Sequence, residues 1–164
     1  IRCDDPVMLL EPKHLYRQTH NRDNAPGPNY MIPFGDARTV QQGSDLTILT
    51  YGATTHLSTQ AAKQTDADVE IIDLRSLVPI DWETISYSVK KTNKVLVVYE
   101  DNISFGYGTE LATEIGDELF EYLDGPVKRV AAKDTFVGYH PNFEEATLPD
   151  IDDIREKIEW LYNY

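Results

Sequence analysis

From Leu46 onward the sequence alternates, short apolar β-branched runs each giving way to a stretch with helical spacing, and this period confines the chain to few folds. Residues 46–51 (LTILTY) run into Gly52, and residues 54–64 then place Leu57, Ala61 and Ala62 on one helix face. Residues 69–74 (VEIIDL) form the next strand. Pro79 and Asp81 open a second helix reaching Lys91, and residues 95–100 (VLVVYE) return as a third strand. Leu111, Ile115, Leu119 and Tyr122 share one face of a long helix over 107–123, and residues 127–132 (VKRVAA) give a fourth strand. After a loop, Ile151, Ile154, Ile158 and Leu161 mark a closing helix, while residues 38–42 add an edge strand. Strands this continuously apolar are buried on both faces. The pattern therefore predicts an α/β fold, a mainly parallel mixed sheet of five strands between two helix layers.

The start of the chain follows another pattern. Residues 6–11 (PVMLLE) read as a short strand and residues 13–16 as a turn of helix, followed by residues 17–29 (RQTHNRDNAPGPN), whose Asn, Pro and Gly mark an exposed connector. The domain boundary is expected between positions 29 and 30, with residues 1–29 the tail of a preceding domain plus linker and 30–164 the domain proper. Ile1 is neither a start Met nor the opening of a signal segment, which suggests a piece of a longer polypeptide. The single cysteine, Cys3, excludes an internal disulfide, so a bacterial cytoplasm or mitochondrial matrix is the expected location. No apolar run approaches the roughly 20 residues of a membrane span.

Fifteen Lys and Arg against 28 Asp and Glu leave a net charge of -13. Such a surface repels nucleic acid and anionic lipid, and either favours a basic partner or simply maintains solubility. Local motifs for chemistry are weak. Gly106-Tyr107-Gly108 lies between a strand and a helix, as a phosphate-binding turn does, but Leu111 stands where a dinucleotide fingerprint has its third glycine, and Glu100, Asp101 and Glu110 oppose an anion. A tight strand-to-helix turn is the simpler reading. His14, His20, His56 and His140 have no metal-ligand spacing, and no Gly-x-Ser-x-Gly elbow is present. The acidic pairs Glu144-Glu145 and Asp152-Asp153 read as surface groups, and Asp73 with Arg75, at the end of a buried strand, as architecture. No residue qualifies as catalytic, cofactor-binding or metal-binding.

Several segments together carry a family resemblance: residues 5–17 (DPVMLLEPKHLYR), 43–52 (GSDLTILTYG), 73–85 (DLRSLVPIDWETI), 88–100 (SVKKTNKVLVVYE), 106–115 (GYGTELATEI) and 123–130 (LDGPVKRV), with Leu148-Pro149 and Asn163-Tyr164 near the end. In this order they resemble the β subunits of the thiamine-diphosphate-dependent 2-oxoacid dehydrogenases of pyruvate and branched-chain type. The resemblance implies a transketolase C-terminal-like domain, with residues 5–17 closing the preceding pyrimidine-binding domain. Thiamine diphosphate and magnesium would be held by other domains, and the family's glutamate and histidine would lie upstream of Ile1, so the fragment alone would be inactive. It also implies partners: an α subunit or α half, a second β subunit, and the small basic peripheral subunit-binding domain of the dihydrolipoyl acyltransferase. That last contact maps onto Asp124, in the turn before Gly125-Pro126, and onto Tyr164, whose carboxylate corresponds to the family's chain end. Gly125 replaces a common alanine, and Phe136 and Gly138 stand where prolines often follow Asp134. Two alternatives are a transketolase or deoxyxylulose-phosphate synthase domain, and a free-standing anion-binding regulatory module built on Gly106 to Gly108.

Overall fold

The computed structural model describes residues 2–164 and divides the chain into two compact units that meet in sequence at Tyr30 and Met31. The first unit holds two short 3-10 turns, Lys13–Arg17 and Thr19–Asn21. Residues 6–11, expected as a strand, are not one here: Val7, Met8, Leu9 and Leu10 are exposed and no ladder forms. A strand exists only as a paired edge, and the described residues supply no partner for this segment.

The second unit is a five-stranded sheet of order β1-β3-β2-β4-β5. Its strands are β1 (Arg38–Gln41), β2 (Leu46–Thr50), β3 (Val69–Asp73), β4 (Val95–Asn102) and β5 (Lys128–Ala132). β2 pairs in parallel with β3 and β4, and β4 with β5, while β1 runs antiparallel along β3 with a bulge between Thr39 and Gln41. The helices are α1 (Thr54–Ala62), α2 (Trp82–Thr92), α3 (Tyr107–Glu118), α4 (Pro141–Thr147) and α5 (Ile151–Tyr162). The sandwich predicted from the sequence is thus present, with differences at its ends. The long helix expected to reach position 123 stops at Glu118, and a 3-10 turn, Phe120–Tyr122, carries the chain on. The segment expected as loop before the last helix contains α4, started by Pro141 in its first turn and by the His140 ring, which accepts the Asn142 amide.

Alternation along the strands sorts the core into two layers. Leu46, Ile48, Val69, Ile71, Leu96 and Val98 face α1 and α5, which contribute Ala61, Ala62, Ile154, Ile158 and Leu161. Leu49, Ile72, Val95, Val97 and Tyr99 face α2 and α3, which contribute Ile85, Val89, Leu111 and Ile115. All five residues of β2 are buried, which only a doubly covered sheet allows. Each fully buried Leu, Ile or Val contributes about 1.5–3 kcal/mol relative to exposure.

One polar network interrupts the second layer. Glu70 of β3, 2% exposed, accepts hydrogen bonds from Ser88 Oγ and Lys91 Nζ of α2, and Thr47 Oγ1 lies 2.7 Å from both Ser88 Oγ and Thr92 Oγ1. Among the described residues Lys91 is the sole cation on this carboxylate. Lys91→Met should therefore destabilise the fold by about 3 kcal/mol, because it leaves a buried charge unpaired; urea unfolding should show a smaller loss when Glu70→Gln accompanies it. Asp81 caps α2, accepting from the Thr84 amide at 3.0 Å and from the Ala37 amide at 2.9 Å. Partial burial alone would raise its pKa, but these amide bonds and the Thr84 hydroxyl outweigh it and hold the carboxyl below its ordinary value. A depressed folded pKa means stability present above the unfolded value and lost as pH falls through the folded one. Asp81→Ala should lose about 1 kcal/mol at neutral pH, with the gap from the parent narrowing as the pH falls below the ordinary Asp range in urea titrations.

Candidate docking site

The two residues singled out for partner binding come together. The last turn of α2 ends at Asn93, whose left-handed backbone (φ 61°) terminates the helix. Its carbonyl accepts the Asp124 amide at 2.8 Å and its side-chain amide donates to the Tyr122 carbonyl at 2.6 Å, which fixes the turn carrying Asp124. On the far side α5 delivers Tyr164, its ring 4.9 Å from that of Trp160, and the Lys128 ammonium sits 4.2 Å over the Trp160 ring. Asp124, Gly125, Pro126 and Tyr164 then line an open pocket of about 530 Å³ whose apolar wall includes Phe120 and Leu123. A Cβ on Gly125 would stand 3.0 Å from the Tyr164 ring, so this glycine lets the ring close on the turn. Asp124 is exposed, and its carboxylate has no hydrogen bond or ion pair among the described residues. An exposed unpaired carboxylate beside apolar surface suits a cation borne on an aliphatic stem. Phe120 and Asn93 carry no sequence signal of their own; they join the site through the 3-10 turn and the α2 cap.

Most of the other sequence candidates are engaged in packing, helix caps or ion pairs. Gly106 and Gly108 serve packing: a Cβ on Gly108 would lie 2.0 Å from the Tyr99 ring, and one on Gly106 2.3 Å from the Asn102 carbonyl. In open α/β sheets a ligand crevice lies beyond the carboxyl ends of strands whose helices leave to opposite faces, here β2 and β4. That position is filled by aromatic side chains. Tyr51 and Tyr107 meet edge to face at 6.1 Å, and the Tyr107 hydroxyl donates to the Leu77 carbonyl at 2.7 Å. Burial, with Asp101 nearby, pushes the Tyr51 hydroxyl well above its ordinary pKa, so it stays a neutral phenol. Asp73 is raised chiefly by burial, against the Arg75 amide at 3.2 Å and the Arg75 and Arg38 charges. Asp152 pairs with Arg155, while Asp153 and Asp150 form the capping box of α5. Among the described residues no group of three or more His, Cys, Asp or Glu converges to hold a metal ion, and no helix is long and apolar enough to cross a membrane. Gly108→Ala should cost about 2–3 kcal/mol through overpacking against Tyr99, while a ligand-binding glycine would tolerate alanine structurally; thermal unfolding separates the two.

Comparison with known proteins agrees with this architecture. A family model described as the transketolase C-terminal domain matches residues 35–154. The chain belongs to that family. Its curated relatives include the pyruvate dehydrogenase E1 component subunit beta of Rickettsia conorii, 38% identical over 100% of this chain and 50% of the relative. They also include the 2-oxoisovalerate dehydrogenase subunit beta of Pseudomonas aeruginosa, 39% identical over 82% of this chain and 43% of the relative. The resemblance read from the sequence to β subunits of 2-oxoacid dehydrogenases is borne out. The chain spans about half the length of these relatives. Among solved structures, an inactive β4 tetramer of a split-gene transketolase superposes with a TM-score of 0.71 at 23% identity, over 86% of this chain and 46% of that one. At that identity the likeness establishes the fold alone.

Proposed function

We propose that this chain is the assembly and docking domain of a 2-oxoacid dehydrogenase β subunit, and that its surface at Asp124 and Tyr164 receives the basic peripheral subunit-binding domain of the dihydrolipoyl acyltransferase. The observation that carries the reading is the convergence of Asp124 and Tyr164 on one open, partly apolar pocket, on a chain of net charge -13. An arginine or lysine of the partner would lay its stem along Phe120 and Leu123 and bring its charge to the Asp124 carboxylate. Such pairs speed encounter and set orientation, and they weaken as salt shortens the Debye length to about 8 Å at physiological strength.

In this reading the parent enzyme decarboxylates a 2-oxoacid oxidatively and acylates lipoamide, working with an α subunit or α half and a second β subunit. Thiamine diphosphate with magnesium would supply the carbanion chemistry. The residues here do not fit either group, since no metal-binding cluster is present among the described residues and the Gly106–Gly108 turn is closed by Tyr99. In this reading the chain's own contribution is to place the acyltransferase. The residues before the second unit fit the role of a tail from the pyrimidine-binding domain: the exposed Val7, Met8, Leu9 and Leu10 have the composition of a strand whose sheet lies elsewhere.

Calorimetric titration with the peripheral subunit-binding domain of the cognate acyltransferase tests the proposal. Binding should weaken at least tenfold between low and high salt, and at least tenfold with Asp124→Lys. A folded chain that shows no binding, or binding indifferent to both changes, removes the docking role and favours a transketolase-like assembly without this partner.

A further inference from the structure

The groove at the other end of α5 belongs to none of the surfaces described above. α5 spans twelve residues, so its first turn lies roughly 18 Å from the Tyr164 end. There Leu57 of α1, Leu148 and Ile151 floor an open groove of about 520 Å³, with Glu144 and Glu145 of α4 on its rim. The floor is continuous with the core, because Leu57 and Ile151 pack against the α1–α5 layer while remaining only partly buried. Asp150 and Asp152 also line the groove, but they are engaged, Asp150 as the cap of α5 and Asp152 with Arg155. Glu144 and Glu145 are exposed and their carboxylates have no ion pair among the described residues. Among the described residues no lysine or arginine lines the groove.

We infer that this groove is a second docking surface, for a basic amphipathic segment of a partner protein that seats an aliphatic side chain on Leu57, Leu148 and Ile151 and sets lysine or arginine against Glu144 and Glu145. Charge selects that occupant. Nucleic acid and anionic lipid meet four carboxylates at the groove, and a second copy apposing the same groove would set four more against them. The apolar floor adds what a solvated acidic surface lacks, a place to bury an anchor, which is how an amphipathic helix is read in a groove. The Asp124 surface is not involved, so this inference stands or falls independently of the function proposed above.

The probe is a synthetic helical peptide with leucines at i, i+3, i+4 and i+7 and lysines on the opposite face, titrated into the full 164-residue chain. Methyl-resolved NMR should show saturable shifts at Leu57, Leu148 and Ile151. Glu144→Gln with Glu145→Gln should weaken those shifts at least tenfold in affinity, whereas Glu110→Gln with Glu114→Gln, an equal charge change on α3, should alter them less than twofold. The same peptide with glutamates for lysines should not bind. Equal weakening by both variant pairs would reduce the effect to net charge and overturn the inference, as would peptide binding with no shift at the three floor methyls, or no saturable binding at all.

Discussion

The second unit depends on one constraint: a parallel sheet whose central strands have no face left for water. β2 is buried along its whole length, and Val95 to Tyr99 of β4 are likewise inaccessible. Both faces must then be roofed by helices, and the alternation of strand and helix in the chain supplies the roof in the order in which it is needed. α1 and α5 close one side, α2 and α3 the other. The polar exception, Glu70 with Ser88 and Lys91, ties β3 to α2 at the point where an unpaired carboxylate would be most costly.

That roof also decides where function can reside. The carboxyl ends of β2 and β4, where open α/β sheets hold ligands, are occupied by Tyr51, Tyr99 and Tyr107, and Gly108 is pressed against a ring. The accessible features lie instead around α5. The Asp124 turn precedes β5 and so sits at the amino end of the parallel strands, opposite the usual place for small-molecule chemistry. The surface there is apolar at its centre, with Phe120 and Leu123, and acidic at its edge, with Asp124, the layout on which the proposed docking role rests.

Much of this was legible in the sequence, for particular reasons. Buried strands such as LTILT and VLVVY announce themselves by unbroken apolar, β-branched composition, and Asp81 three residues before Thr84 announces a helix start. Residues 6–11 have the same composition but form no strand, because composition records the wish for a ladder and not the presence of its partner. α4 escaped notice since Phe143 and Thr147 give too little periodicity over seven residues. Asp124 and Tyr164 were singled out through family resemblance; their proximity across Gly125 depends on the Asn93 cap and the Trp160 ring, neither of which any spacing rule connects to them.

The most direct test of the account is a backbone chemical-shift map of this chain with the acyltransferase's peripheral subunit-binding domain added to saturation. The account predicts that the largest changes gather at Leu123 through Val127 and at Tyr164, leaving the Gly106 to Gly108 turn unmoved. Changes centred on that turn, or none while the chain remains folded, would contradict it.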